Sequence, residues 1–358
     1  MVERAGQPAT GPGSGMRTDI DEQPQVYARL LDERAGAIAE VARQIDTWQP
    51  RHVIFTARGT SDHAALYAAY LTEIRLGIPA GLASPSAVTV YGARPDLRDT
   101  LVVGVSQSGG SPDLSEVVRV AREQGAHTLA VTNNPGSALA GAAELHIDVA
   151  AGHERAVAAT KSYTAELLAL LMLVESVSGG GRLPDELRGL PEQAERLLAD
   201  DTAVELAARY RFADRFVTTG RGYAYPTARE AALKLMETSY VAALAFSGAD
   251  LLHGPLAMAD PDVPVLAVVG GGPAGASMRE VLNRLGERRA DVVVFGPAQA
   301  GDSKVDRTYR RVATPDVDER YAPLLDILPL QRLALALALH RGEDPDAPRG
   351  LKKVTATL

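Results

Sequence analysis

The 358-residue chain contains no cysteine. That excludes disulfides, thiolate metal sites and a cysteine nucleophile, and fits a reducing, cytoplasmic setting. Aromatic residues make up only 5%, with a single tryptophan. Stacking on bases or sugar faces is therefore not the expected binding device. Lys and Arg number 37 against 45 Asp and Glu, a net charge of −8, which leaves no basic footprint for nucleic acid. The balance still permits an anionic ligand, because local donors outweigh the global sum inside a pocket. No apolar run approaches the roughly 20 residues of a membrane span. The histidines show neither HExxH nor any other metal spacing, and no acidic calcium loop occurs. No metal, cofactor, nucleic acid or membrane partner is expected.

Nucleotide motifs are also missing. Arg58-Gly59-Thr60-Ser61-Asp62 follows an apolar run but lacks the third glycine of GxGxxG, and there is no GxxxxGK[ST]. A GxSxG elbow is approached in Val105-Ser106-Gln107-Ser108-Gly109, but valine stands where its first glycine belongs. A serine hydrolase is a weak alternative.

What is present centres on Leu101–Ser111, LVVGVSQSGGS. An apolar run that reads as a strand buried on both faces breaks into hydroxyls and glycines. Pro112-Asp113 and an amphipathic run to Arg122 follow. Such a turn aims backbone N–H groups, hydroxyls and a helix dipole at one small volume. It suits a phosphate, or else its serines simply cap the helix.

The chain around this turn alternates strands and helices. Residues 1–15 are Gly- and Pro-rich without an apolar signal core, and read as a disordered leader; Met16 offers a second start. A helix is expected over Gln25–Gln44 and strands over 52–57, 80–83, 101–105, 128–132 and 145–149. A strongly apolar helix covers Ala165–Val177. Further strands are expected at 215–219, 265–268 and 292–294, with a helix at Tyr225–Glu237 and a last apolar helix at Leu324–Leu339. The divisions are a first domain at 16–185, a second at 190–340 and a tail at 341–358. The alternation argues two doubly wound parallel α/β sheets.

The halves repeat. A shift of 163 carries Arg58-Gly59 onto Arg221-Gly222, Val102–Val105 onto Val265–Val268 and Leu129–Val131 onto Val292–Val294. The same shift puts the SQSGGS turn on Val269-Gly270-Gly271-Gly272-Pro273-Ala274, which has lost the hydroxyls. That asymmetry favours binding at the first copy.

Glu230, Lys234 and Glu237 fall at i, i+4 and i+7 on one helix face. Spacing of this kind is usually a solvated ion pair; the functional reading is a carboxylate held near a lysine for proton transfer. His253 lies between Leu251-Leu252 and Gly254-Pro255, as either a satisfied structural histidine or an acid–base group.

Together these stretches resemble the double sugar-isomerase (SIS) module of glutamine–fructose-6-phosphate aminotransferase. The matching segments are EQP at 22–24, RGTSDHA at 58–64, SQSGGSPD at 106–113 and AVAATKSYT at 156–164. They continue with GRGYAYPTAREAALKLMETSY at 220–240, LLHGPLAM at 251–258 and PRGLKKVT at 348–355. The resemblance implies two tandem flavodoxin-like αβα domains with the tail over the active site. Ser106, Gln107, Ser108 and Ser111 would hold the phosphate and sugar hydroxyls, with Thr60 and Ser61 beside them and the Val157 backbone lining the pocket. Glu237 would move the proton between C1 and C2, and Lys234 would tune it. His253 would assist ring opening from the neighbouring subunit of a homodimer. Lys353, rather than its neighbour Lys352, would be the Schiff-base amine, with burial lowering its pKa. The chain lacks the synthase's glutaminase domain, and resembles stand-alone SIS-type deaminases. The expected reaction is glucosamine 6-phosphate to fructose 6-phosphate and ammonia. The alternatives are galactosamine 6-phosphate or a fructosyl-amine 6-phosphate as substrate, or a non-catalytic sugar-phosphate sensor. Two departures from the synthase pattern bear on specificity: Gly110 replaces a glutamate and Ala159 a serine.

Overall fold

The computed structural model describes residues 11–299, 309–351 and 353. Helices α1 (Ser14–Asp21), α2 (Gln23–Arg29) and α3 (Ala35–Trp48) come first, the latter two joined by a wider π turn at Leu30–Arg34. The first sheet region follows as β1 (His52–Thr56), α4 (Thr60–Leu71), β2 (Ala80–Leu82), α5 (Pro85–Thr89) and β3 (Thr100–Ser106). It continues with α6 (Pro112–Glu123), β4 (His127–Thr132), α7 (Ala138–Ala142), β5 (Leu145–Asp148) and α8 (Lys161–Ser178). Helices α9 (Leu190–Leu198) and α10 (Thr202–Tyr210) lead into the second region. There β6 (Arg215–Gly220), α11 (Ala224–Ser239), β7 (Ala242–Ser247), α12 (Gly248–Leu252) and β8 (Pro264–Val268) precede α13 (Pro273–Glu287), β9 (Asp291–Gly296), β10 (Arg310–Ala313) and α14 (Ala322–His340).

The two five-stranded sheets have the orders β2-β1-β3-β4-β5 and β7-β6-β8-β9-β10, and their strand pairs are parallel. This is the doubly wound, flavodoxin-like order, with its switch point between β1 and β3. The expected α/β class is what is observed. The 163-residue shift holds beyond the three segments that revealed it: it carries 80–82 onto 243–245, inside β7. Strands β7 and β10, absent from the sequence expectation, are sheet edges. β7 (AALAFS) is apolar but built largely of alanine, which is depleted in strands, and β10 (RRVA) opens on two arginines.

β3 is buried along its whole length, with Val103 beside Phe55 of β1 and Leu129 of β4. Side chains then alternate between layers. Val102 and Ala130 pack under α6 and α7, with Leu114, Val118 and Leu139. Val103, Val105 and Leu129 face a larger core with Leu167, Leu168 and Leu171 of α8. The second sheet does the same, Val265 and Ala267 turning to Met278 and Leu282 of α13, and Leu266 and Val268 to the large core. That core is common to both sheets and is built from α4, α8, α11 and α14 between them.

Two expectations are corrected. Residues 11–15 of the expected disordered leader are placed, while residues 1–10 lie outside the described residues. The Asp346 carboxylate accepts from Gly15 N (2.7 Å) and Met16 N (2.8 Å), and Asp344 accepts from Gly13 N (3.0 Å). The tail thus caps the N-terminus of α1, whose own sequence supplies no capping side chain. Secondly, α14 is a 19-residue helix apolar enough to cross a membrane by length and composition. It is almost wholly buried against α10 and α11, so its apolarity is that of a core helix.

Asp326 of α14 is buried; Thr314 Oγ1 donates to its Oδ1 at 2.6 Å, and its Oδ2 has no hydrogen-bond partner among the described residues. Burial pushes its carboxyl up to about 7. The folded state holds this proton more tightly than the unfolded chain, so stability is lost as pH rises from the ordinary value of 3.8 through about 7. Asp326→Asn is expected to raise Tm at pH above 7, with the difference closing near pH 4. Thermal melts across this range check it; a constant difference at all pH values refutes the assignment.

Candidate active site

The loops that follow β1 and β3 meet at the switch point, where open α/β sheets bind ligands. They form one wall of a cavity of about 320 Å3. Arg58, Gly59, Thr60 and Ser61 come from the first loop, and Ser106, Gln107, Ser108 and Ser111 from the second. Val157 and Ala159 line it from the segment before α8, Glu237 from α11, and Leu351 and Lys353 from the tail. All seven expected binding residues, together with Glu237 and Lys353, therefore face one space. Lys352 lies outside the described residues.

The β3 loop is built as a cradle. Ser106 Oγ accepts from Gly109 N (3.1 Å) and Ser108 Oγ from Gly110 N (3.2 Å). Neither hydroxyl donates to a protein acceptor among the described residues, so both protons are free to meet a ligand. Ser111 occupies the N-cap of α6 yet makes no side-chain capping bond; its hydroxyl lines the cavity instead. The capping explanation of these serines thus fails at the position where it applies most directly. Gly109 has φ +60°, and a Cβ there would lie 2.2 Å from Ser137 Oγ. Only glycine fits this turn. Gln107 O and Gly109 O accept from Asn133 N and Leu139 N, 3.1 Å each, which ties the cradle to the β4–α7 turn. Arg58 brings a guanidinium to the rim, paired with buried Asp113 at 2.8 Å.

The second group is a buried chain of charges between the sheets. Lys234 has no exposed surface. Its Nζ lies 3.3 Å from Glu230 Oε1 and 2.5 Å from Glu237 Oε2, and donates to Thr60 Oγ1 at 3.1 Å. Thr60 in turn donates to Glu230 (3.1 Å), whose other oxygen meets His63 Nδ1 at 2.7 Å. Burial alone would lower the Lys234 pKa, but the Glu230 and Glu237 carboxylates outweigh it and hold the ammonium above its ordinary range. Burial likewise pushes Glu230 up, and Lys234, His63 and Thr60 more than reverse it. The solvated ion pair expected from spacing is therefore replaced by an interior one. Lys234 and Glu230 sit behind the cavity wall, and Glu237, with 24% of its side chain exposed, reaches it.

The third group is the tail. Lys353 Nζ donates to the Ala156 carbonyl. Burial lowers its pKa, and the Lys234 and Lys161 ammoniums add to that against the opposing pull of Glu154 and Asp19. The direction is the one expected from the sequence. The segment it meets is rigidly held. Glu154 accepts from the backbone N–H groups of Thr160 (2.7 Å) and Lys161 (3.0 Å) at the start of α8. Asp19 accepts from Arg155 N (2.7 Å) and Ala156 N (2.9 Å). Upstream, the tail is fixed by Arg349, which stacks on Tyr240 at 4.1 Å.

His253 is not brought to this cavity. It ends α12 on the exposed surface of the same chain. Sequence reasoning missed Arg58 and Leu351 in the wall, and the supporting Glu154, Glu166, Asp19 and His63. Arg58 and Asp113 had a signal: they fall in the family-matching segments RGTSDHA and SQSGGSPD.

In the second sheet the corresponding place is filled from within. Glu319 accepts from Gly275 N (2.9 Å) and Ala274 N (3.4 Å) at the start of α13. A Cβ on Gly272 would lie 2.5 Å from its carboxylate. Glu319 is the counterpart of Ala156 under the 163-residue shift. The degenerate loop keeps its anion, supplied covalently by the chain.

Comparison with known proteins fits this geometry. The SIS domain model matches twice, over residues 47–176 and 210–341. The chain is 36% identical over 348 residues to glutamine–fructose-6-phosphate aminotransferase [isomerizing] of Methanothermobacter thermautotrophicus, covering 94% of this chain and 56% of that protein. It therefore spans little more than half the length of this curated relative. The C-terminal domain of glucosamine-fructose-6-phosphate aminotransferase from Francisella tularensis superposes with a TM-score of 0.81 at 25% identity, covering 97% of this chain and 100% of that one. Glucosamine-6-phosphate deaminase from Thermotoga maritima shares the fold, with a TM-score of 0.77 at 20% identity over 96% and 100% of the chains. With both of its sheets matched by the same domain model, the chain belongs to the SIS domain family.

Proposed function

We propose that this chain converts glucosamine 6-phosphate and water to fructose 6-phosphate and ammonia. The observation that carries the reading is the composition of the one cavity: an anion cradle, a carboxylate on a buried lysine, and a half-buried amine. A sugar phosphate presents the matching groups, an anion at one end and a carbonyl carbon at the other. The names of the relatives support amino-sugar phosphates as the class. These 358 residues hold no thiol to hydrolyse glutamine, so the reaction proposed for them is the one that needs none.

In this mechanism the β3 loop holds the phosphate through Ser106, Ser108 and Ser111 with Gln107, beside Thr60, Ser61 and the Val157 backbone. Once the ring is open, Glu237 takes the proton from C2 and returns it to C1, converting the amino aldehyde to a ketose imine. The neutral Lys353 amine adds to C2 and ammonia leaves, and water then hydrolyses the lysine Schiff base to the ketone and the free amine. Lys234 fixes the position of the Glu237 carboxylate from behind. His253 assists ring opening from a second subunit of a homodimer, since it stands away from the cavity of its own chain.

Three outcomes are expected. Incubation with glucosamine 6-phosphate yields equimolar ammonia and fructose 6-phosphate, and Glu237→Gln lowers kcat by about 10²–10⁴-fold while sugar-phosphate binding persists. Failure with glucosamine, galactosamine and fructosyl-amine 6-phosphates alike rules out deamination. Mixing Glu237→Gln with His253→Ala subunits restores activity, because one site of each mixed dimer is then intact; two inactive variants that stay inactive after subunit exchange place His253 outside the partner's site. Finally, kcat rises with pH along a limb assigned to Lys353. Because that group's folded pKa is depressed, the limb lies below 10.5. A limb at or above that value removes the neutral-amine role.

A further inference from the structure

Ser61 is the second residue of α4 and lines the cavity. Its Oγ lies 2.9 Å from Glu166 Oε1. Glu166, on α8, has no exposed surface, and its second oxygen is buried without a hydrogen-bond partner. No lysine, arginine or histidine pairs with it among the described residues. An isolated carboxylate in such a place is not sustainable: a buried charge must be paired or give up its charge.

The groups around Glu166 point the same way. From the segment before α8 and from α11 the carboxylates of Glu154 and Glu230 act on it, and both disfavour its charge. Tyr163, on α8 itself, is a buried phenol. The Lys234 ammonium and His63 are committed to Glu230. Burial, reinforced by the two carboxylates and only partly opposed by Ser61, holds the Glu166 acid far above the usual carboxylate range.

The consequence lies in the single proton of a serine hydroxyl. A hydroxyl donates once and accepts twice, and an ionised carboxylate only accepts. Beside an ionised Glu166, Ser61 must spend its proton on that residue and turn lone pairs toward the cavity, which repels a phosphate or carbonyl oxygen. Beside a protonated Glu166 the bond runs the other way. The acid donates to Ser61 Oγ, and the Ser61 proton is released to the ligand.

We propose that Glu166 is a positioning residue that stays a neutral carboxylic acid and, by donating to Ser61, makes that hydroxyl a donor to the bound sugar phosphate. This rests on the sugar-phosphate reading of the cavity; the protonation state of Glu166 does not. The role predicts which substitutions are tolerated. Gln keeps a donor of the same length, and Asp withdraws it by a methylene.

Infrared difference spectra between the wild type and Glu166→Gln are the direct test. At about pH 8, well above the ordinary glutamate range, the wild type is expected to show the C=O stretch of a protonated carboxyl that the variant lacks. A carboxylate band in its place overturns the proposal. Calorimetric titration with fructose 6-phosphate reads the ligand half. Glu166→Gln is expected to keep the wild-type dissociation constant within about threefold, as a retained hydrogen bond implies, and Glu166→Asp to weaken it about tenfold. At alkaline pH the wild type loses affinity in a step that Glu166→Gln does not show. A Gln variant that folds, by circular dichroism, but loses binding as badly as Asp overturns donation to Ser61. Failure of the wild type to bind any sugar phosphate refutes the cavity reading, and the infrared band still decides the state of Glu166.

Discussion

An ammonium with no exposed surface must be neutralised where it stands, and Lys234 is neutralised by two carboxylates of its own helix and a hydroxyl from the other half of the molecule. Removing either partner of a buried pair leaves the other charge unsatisfied, at a cost of about 3–5 kcal/mol. Thr60 bridges Glu230 and Lys234 by hydrogen bonds to charged groups, worth about 1.5–3 kcal/mol each. The loop after β1 and the helix after β6 are locked together, and Glu237 is held at the cavity wall as a result. The position of the Glu237 carboxylate relative to the β3 loop follows from this junction, since the two belong to different sheets.

The same economy of charge explains the asymmetry of the duplication. In the first copy the β3 loop offers hydroxyls and free N–H groups to a ligand, and its facing segment carries Ala156 and Val157. In the second copy the facing segment carries Glu319, whose carboxylate satisfies the N–H groups of α13. One copy leaves the start of its helix to an incoming anion. The other closes it with a side chain, and glycine at 272 leaves room for that side chain. The two termini of the chain serve the surviving site. Asp346 caps α1, and α1 in turn carries Asp19, which holds the backbone at Ala156, where Lys353 docks.

Much of this was legible in the order of residues. Central strands such as Leu101–Val105 read as continuous apolar runs because both of their faces are covered, and the 163-residue repeat exposed the second sheet. Strands β7 and β10 were not legible, because an alanine-rich run does not read as a strand and β10 opens on Arg310-Arg311. The EQP segment matched a family motif without disclosing its job. Gln23 turns out to be a buried link that donates to Gln331 and accepts from Thr164, at 2.8 Å each, and Glu22 pairs with Lys161. These partners lie 139 to 308 residues away, beyond the reach of any periodicity argument.

The sequence by itself determined the α/β class, the duplication, the hydroxyl-rich turn and the candidate residues Glu237 and Lys353. The class and the turn are carried by local pattern, the duplication by a constant shift, and Glu237 and Lys353 by the resemblance to the SIS module. Tertiary structure decided which of them share a cavity, and it left His253 outside the cavity of its own chain. It also decided the state of the charges. Glu230, Lys234 and Glu237 have the same spacing whether the helix face is wet or dry, and only the packing of α11 against α4 makes that face dry. Glu166 is one more carboxylate in the sequence, and becomes an acid without a cation only where α8 is enclosed. Burial is a property of what surrounds a residue, and those surroundings come from every part of the chain.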